Sequence, residues 1–224
     1  MTLFDEAPQK TADGKRITAL VIEALGAIGI GVYFLLGPRD LGWLDVAMLF
    51  VIVTFVAFGT TRTIIGGLMT AVAVYLATGL AASFYPVLTP YARSFLNVLP
   101  SAVSSGPPAG TVDSPALALS FAVMTVVFWA VLELLFHASV ENTHMRLLGP
   151  MDRVGGAVIY LAIGVLVAAL LFNTLGYGTA GPSAHERASL RPEFNRVLEL
   201  HYLAQSFWFS GRPPGIYAYD LDLL

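Results

Sequence analysis

The chain has 224 residues, 56% of them hydrophobic and only 12% charged, and its mean hydropathy is +0.73. So little charge over so long a chain excludes an ordinary water-soluble domain, and lipid is the solvent this surface is built for. A net charge of −3 argues against a nucleic-acid-binding face, and the lack of cysteine excludes disulfides, thiolate catalysis and cysteine-held metal clusters.

In chain order, residues 1–16 are polar, carry Lys10, Lys15 and Arg16, and are expected to form a loose cytoplasmic segment. Five apolar runs follow: Ile17–Leu36, Trp43–Thr61, Thr63–Tyr85, Pro115–Phe136 and Val154–Leu175. Each is about 19 to 23 residues long, and a hydrocarbon layer of roughly 30 Å needs about 20 helical residues. The prediction is an all-α fold, a polytopic membrane helical bundle over residues 17–175. It has about five transmembrane helices and short amphipathic extramembrane helices. The first run exceeds the roughly 7 to 15 residues of a signal-peptide core and leads into Gly37-Pro38-Arg39-Asp40, so it reads as a retained helix.

Gly37-Pro38 should stop the first helix, Trp43 suits a membrane interface, and Gly59-Thr60-Thr61-Arg62 should make a tight turn. The stretch Pro86–Ser114 reads as a short amphipathic piece (Leu88, Tyr91, Phe95, Leu96 and Leu99 at helical spacing) followed by a linker. Lys10, Lys15, Arg16, Arg62, Arg146 and Arg153 fall on one side, against Arg39 and Arg93 in the other short loops. The positive-inside rule then places the N-terminus in the cytoplasm and residues 176–224 on the extracytoplasmic side.

Small residues mark expected helix-packing positions: Gly66 and Gly67, Ala73 and Ala77, Gly155 and Gly156, and Gly164. In lipid, close backbone approach is a main source of packing energy. The two glycine pairs, each shortly after an arginine, also read as a weak parallel repeat of helices 2–3 and 4–5. The plainer reading is that glycine is common in membrane helices.

Glu23 and Glu133 lie inside spans, where a charge costs about 2.5–3.5 kcal/mol on the insertion scale, so each should face a partner or a wet cavity. They are candidates for an ion path. Equally, Glu23 can pair with a loop arginine or be protonated, and Glu133 can snorkel to the interface. Glu133, His137 and Glu141 follow at helical spacing, and Glu141-x-x-His144 is half of a di-iron carboxylate motif. No second half is visible, and a solvated face accounts for these residues. No phosphate-binding loop or H-E-x-x-H motif is present, so no catalytic residue, cofactor or metal site is read.

The tail holds a helix start at Pro192-Glu193, then Phe194, Val197, Leu198, His201, Gln205 and Trp208 on one stripe, with Arg196 and Glu199 off it. Trp208, Phe209, Pro213, Pro214, Tyr217 and Tyr219 suit a docking arm for a partner. Capping of its own bundle is the alternative.

Two segments resemble the colicin V production protein (CvpA) family. Trp43-Leu44-Asp45, with Gly59, Arg62 and Gly66 beyond it, is similar to that family's first hairpin. Leu147-Leu148 and Met151-Asp152-Arg153-Val154-Gly155-Gly156, with Gly164 further on, resemble its approach to the last span. The resemblance covers about 43–175. Helix 1 precedes the family's usual four-helix unit, Tyr160 stands where a glycine is common, and the tail reads as an addition. Some relatives carry a serine protease, but the tail lacks a Gly-x-Ser-x-Gly segment, so that activity does not carry over. The resemblance implies a bacterial inner-membrane protein linked to secretion or envelope homeostasis. The leading reading is a non-enzymatic scaffold or accessory subunit, partnered by the lipid bilayer and by other membrane subunits or a second copy. The alternative is a small transporter or channel component.

Overall fold

The computed structural model describes residues 7–37, 41–98, 114–140, 150–177, 181–209 and 216. Helices α1 (Ala7–Leu36), α2 (Trp43–Gly59), α3 (Ile64–Val98), α4 (Ser114–Val140) and α5 (Pro150–Gly176) form the bundle. A short α6 (Gly181–Glu186), then α7 (Arg191–Gln205) and a 3-10 turn at Ser206–Phe209, follow. Among the described residues, four helices are long and apolar enough to span a bilayer, and α2 is a shorter apolar helix of 17 residues.

Three expectations change. Residues 7–16, expected to be loose, continue α1 as helix. The helix α2 stops at Gly59 because Thr60 and Thr61 turn their hydroxyls back onto the carbonyls of Ala57 and Phe58. And α3 does not end near Tyr85: it passes through Pro86 and Pro90 to Val98, so the expected amphipathic piece is its continuation. Each proline removes one backbone hydrogen bond. Packing outweighs that loss, since Ala82, Tyr85, Thr89 and Ala92 are all buried along this stretch, beside the extensive α3–α4 interface.

Adjacency in sequence does not decide every partner, since α2 packs mainly on α5 and not on α3. The largest interfaces pair α3 with α4 and α2 with α5, while α1 touches α2 and α5 touches α3. The order in space is therefore α1, α2, α5, α3, α4. Ala73, Ala77 and Ala81 are fully buried on α3, and Ala81 packs in one cluster with Ala118 and Phe121 of α4.

The glycines divide by what a side chain would meet. A Cβ on Gly156 would lie 2.5 Å from the carbonyl oxygen of Arg62 and 2.8 Å from that of Gly59. Gly155 faces Ile64, Gly164 would meet Phe55 Cβ at 2.7 Å, and Gly67 would meet Ile159 at 3.2 Å. Gly66 faces only Thr63 of its own turn, so it makes no interhelical packing contact. The two glycine pairs thus differ, because only Gly155-Gly156 docks its helix on the α2–α3 turn.

Two buried aspartates tie this arrangement together. Asp152 Oδ1 accepts from the backbone N–H of Ile64 at 3.0 Å, so α5 caps the start of α3. Asp45 Oδ2 accepts from Gly42 N at 2.8 Å and Ser189 N at 3.0 Å, and Oδ1 from Leu190 N at 3.0 Å. One carboxylate thereby serves the N-cap residues of both α2 and α7, Gly42 and Leu190, together with Ser189 just before the latter.

Candidate functional site

Counting from the Gly59–Ile64 turn at 1.5 Å per residue, Asp45 on α2 and Thr78 on α3 both lie about 21 Å along the bundle. Helix α7 joins them. Its start is held by Asp45, and His201 Nε2 lies 3.1 Å from Thr78 Oγ1 at its far end. Gln205 Nε2 donates to Tyr75 O at 2.7 Å and to Thr78 Oγ1 at 2.9 Å, and Tyr75 OH donates to Ala204 O. So α7 runs across the bundle, beneath which the polar floor is continuous with α3. Burial depresses the His201 pKa to about 4, which keeps the imidazole neutral at neutral pH.

The predicted stripe is the buried face: Phe194, Leu198, His201 and Gln205 are buried, joined by Tyr202, while Arg196 and Glu199 are exposed. Trp208 packs on Gly79 of the same chain. Ile216 is fully buried and its carbonyl accepts from Asn173 Nδ2 at 2.8 Å and Tyr177 OH at 3.0 Å. Of the docking candidates, Pro213, Pro214, Tyr217 and Tyr219 lie outside the described residues, as does the Phe209 side chain. What is described of the tail caps its own bundle.

The second polar cluster sits toward the opposite end, in a cavity of about 410 Å³ between α2 and α4. Thr70 of α3 and Tyr160 of α5 form its floor; Phe55, Phe58, Trp129 and Val126 form its walls. Thr70 Oγ1 donates to Glu133 Oε1 at 2.9 Å and lies 3.0 Å from Tyr160 OH. Since the threonine proton goes to Glu133, the tyrosine donates to the threonine in turn. Glu133 Oε2 is buried and has no hydrogen-bond partner among the described residues.

Arg62 lines the same cavity from the α2–α3 turn, with its guanidinium 5.3 Å from the centre of the Phe58 ring. Among the described residues no ion pair joins it to Glu133. Glu23 reaches the site only indirectly. Its Oε1 accepts from Thr54 Oγ1 at 3.3 Å, and Thr54 lines the cavity. The two intramembrane carboxylates thus flank one cavity from α1 and α4, with a threonine hydroxyl at each. Glu141, His144 and the side chain of His137 lie outside the described residues.

Sequence reading missed Thr54, Thr70, Asp45 and Asp152 as partners. Asp45 and Asp152 were legible as motif members, but which N–H groups they serve depends on residues up to 145 positions away. Tyr160, in place of a common glycine, does not loosen the helix contact there. A Cβ on Gly59 would lie 2.5 Å from Tyr160 Cβ, and the tyrosine adds the hydroxyl that supports Thr70.

These features define a polytopic helical membrane protein with a polar cavity inside an apolar bundle. The profile of the colicin V production protein family matches residues 44–198, and the chain belongs to that family. No curated protein and no solved structure matches it. The match runs past the boundary expected near residue 175 to Leu198, so α6 and the first half of α7 lie within the family unit. The Asp45 latch is internal to that unit.

Proposed function

We propose that this colicin V production family protein is a non-enzymatic accessory or scaffold subunit of a complex in the bacterial inner membrane, with its N-terminus cytoplasmic. The observation that carries this reading is an open groove of about 430 Å³ beside α1, lined by Gly26, Gly29, Ile30, Tyr33, Leu41 and Leu49. Gly26 is already used, since it faces Val53 of α2, but a Cβ on Gly29 or Gly31 would meet nothing within 4 Å. Small residues without a neighbour let a second helix come close, which is how membrane helices associate. No residue of the apolar window of α1 is buried by its own chain.

The absence of cysteine makes the test direct. Gly29→Cys in native membranes should give a cross-linked product larger than the chain, whose mass separates a second copy from a different subunit. Val127→Cys, on an exposed face of α4, should not. Equal products from both positions, or none from either, would defeat the docking reading. The second reading, a transport component, is favoured by the unbonded Glu133 oxygen. It requires that Glu133→Gln abolish an ion flux that the parent shows in proteoliposomes.

A further inference from the structure

We infer that the cavity between α2 and α4 binds the headgroup of a phospholipid that carries a primary amine. Its walls are aromatic and aliphatic, and its polar groups are confined to Thr54, Arg62, Thr70, Glu133 and Tyr160. Two opposite formal charges line one space, yet each lacks a charged partner among the described residues. Arg62 rests on the face of Phe58, and Glu133 uses one oxygen on Thr70 and leaves the other bare. A buried acceptor without a donor is costly, and a guanidinium selects phosphate or carboxylate. One ligand satisfies both ends when it presents an ammonium to the Glu133 carboxylate and an anionic phosphate to Arg62. That is the phosphoethanolamine pattern.

The shape of the cavity separates a lipid from a soluble zwitterion. Phe58 on one lip is 53% exposed and Val126 on the other is 62% exposed, so the cavity opens sideways where the surface is apolar. At about 410 Å³ it is within the range of small-molecule sites, with room for a headgroup and the first part of its chains. The rest of the chains would leave between Phe58 and Val126 into the bilayer. Choline headgroups fit less well, because a quaternary ammonium has no N–H to give Glu133. Glycerol headgroups have no cation.

The experiment is native mass spectrometry of the full-length protein exchanged into detergent with equimolar phosphatidylethanolamine, phosphatidylcholine and phosphatidylglycerol. The first bound lipid should be phosphatidylethanolamine by at least about tenfold over either competitor. Glu133→Gln should bring ethanolamine and choline lipids to parity, and Arg62→Gln should weaken the retention of all three. Equal retention of the three lipids by the parent would overturn the inference without recourse to any variant. So would an unchanged ethanolamine preference in a folded Glu133→Gln protein. Displacement of the lipid by equimolar soluble phosphoethanolamine would also overturn it, because the apolar walls would then add nothing.

Discussion

Asp45 and Glu133 are both carboxylates placed among apolar helices, and the structure treats them oppositely. Asp45 has no exposed surface, and its two oxygens accept three backbone N–H groups from three residues. Glu133 is partly buried, lines a cavity, is bonded through one oxygen to a threonine, and leaves the other buried without a hydrogen-bond partner among the described residues. A buried acceptor with every site filled fixes a fold, whereas one left partly unfilled marks a place where something else binds. The Asp45 end of the molecule is closed by α7. The Glu133 end is open between α2 and α4.

The sharpest way to break this comparison is Asp45→Ala. It leaves Ser189 and Leu190, the two residues that lead into α7, without their acceptor, and bonds to a charged group are worth about 1.5–3 kcal/mol each. The expected result is release of α7 with a loss of about 3 kcal/mol or more, measured by thermal unfolding in detergent and by protease cleavage after Ser189. Unchanged protection would mean that the latch is incidental.

Acid should act at the other end of α7. His201 is neutral in the fold because its pKa falls from 6.5 to about 4, so a released tail binds a proton that the docked tail does not. Docking is therefore fully supported above about pH 6.5 and weakens as pH falls toward about 4, below which the loss levels off at about 3 kcal/mol. Protease sensitivity of the tail should rise over that window. A flat profile would remove His201 as the cause.

The glycine pairs give a smaller and cleaner contrast. Gly156→Ala sets a methyl group against two backbone carbonyls that cannot rotate away, at a cost of about 1–3 kcal/mol. Gly66→Ala meets only Thr63 and should be neutral or stabilising by up to about 1 kcal/mol, from helix propensity. Equal melting shifts for the two would refute the asymmetry. Smallest of all is Glu133→Gln, whose amide oxygen still accepts from Thr70. Its unfolding should shift by less than about 1 kcal/mol even as any ligand preference is lost.

Sequence reading located the stripe of α7 and the burial of Ala73 and Ala77, because periodicity is a local property of the chain. It missed the run of α3 through Pro86 and Pro90, since a proline signals a break unless contacts from another helix override it. The carboxylates Glu23 and Glu133 were visible as anomalies in apolar runs. Their convergence on one cavity, which Glu133 lines and Glu23 reaches only through Thr54, was not, because Thr54 and Thr70 look ordinary until the helices are placed together.

By itself, the sequence determined that this protein lives in lipid as a helical bundle, and which faces of its helices are small or polar. Composition and periodicity suffice for that, since the bilayer demands long apolar helices whatever their neighbours. The tertiary structure alone decided that α2 pairs with α5 and α3 with α4, that Asp45 holds α7, and that Arg62 and Glu133 line one cavity. Those outcomes rest on hydrogen bonds and close contacts between residues 31 to 145 positions apart, and no local pattern encodes which of the many available partners is met.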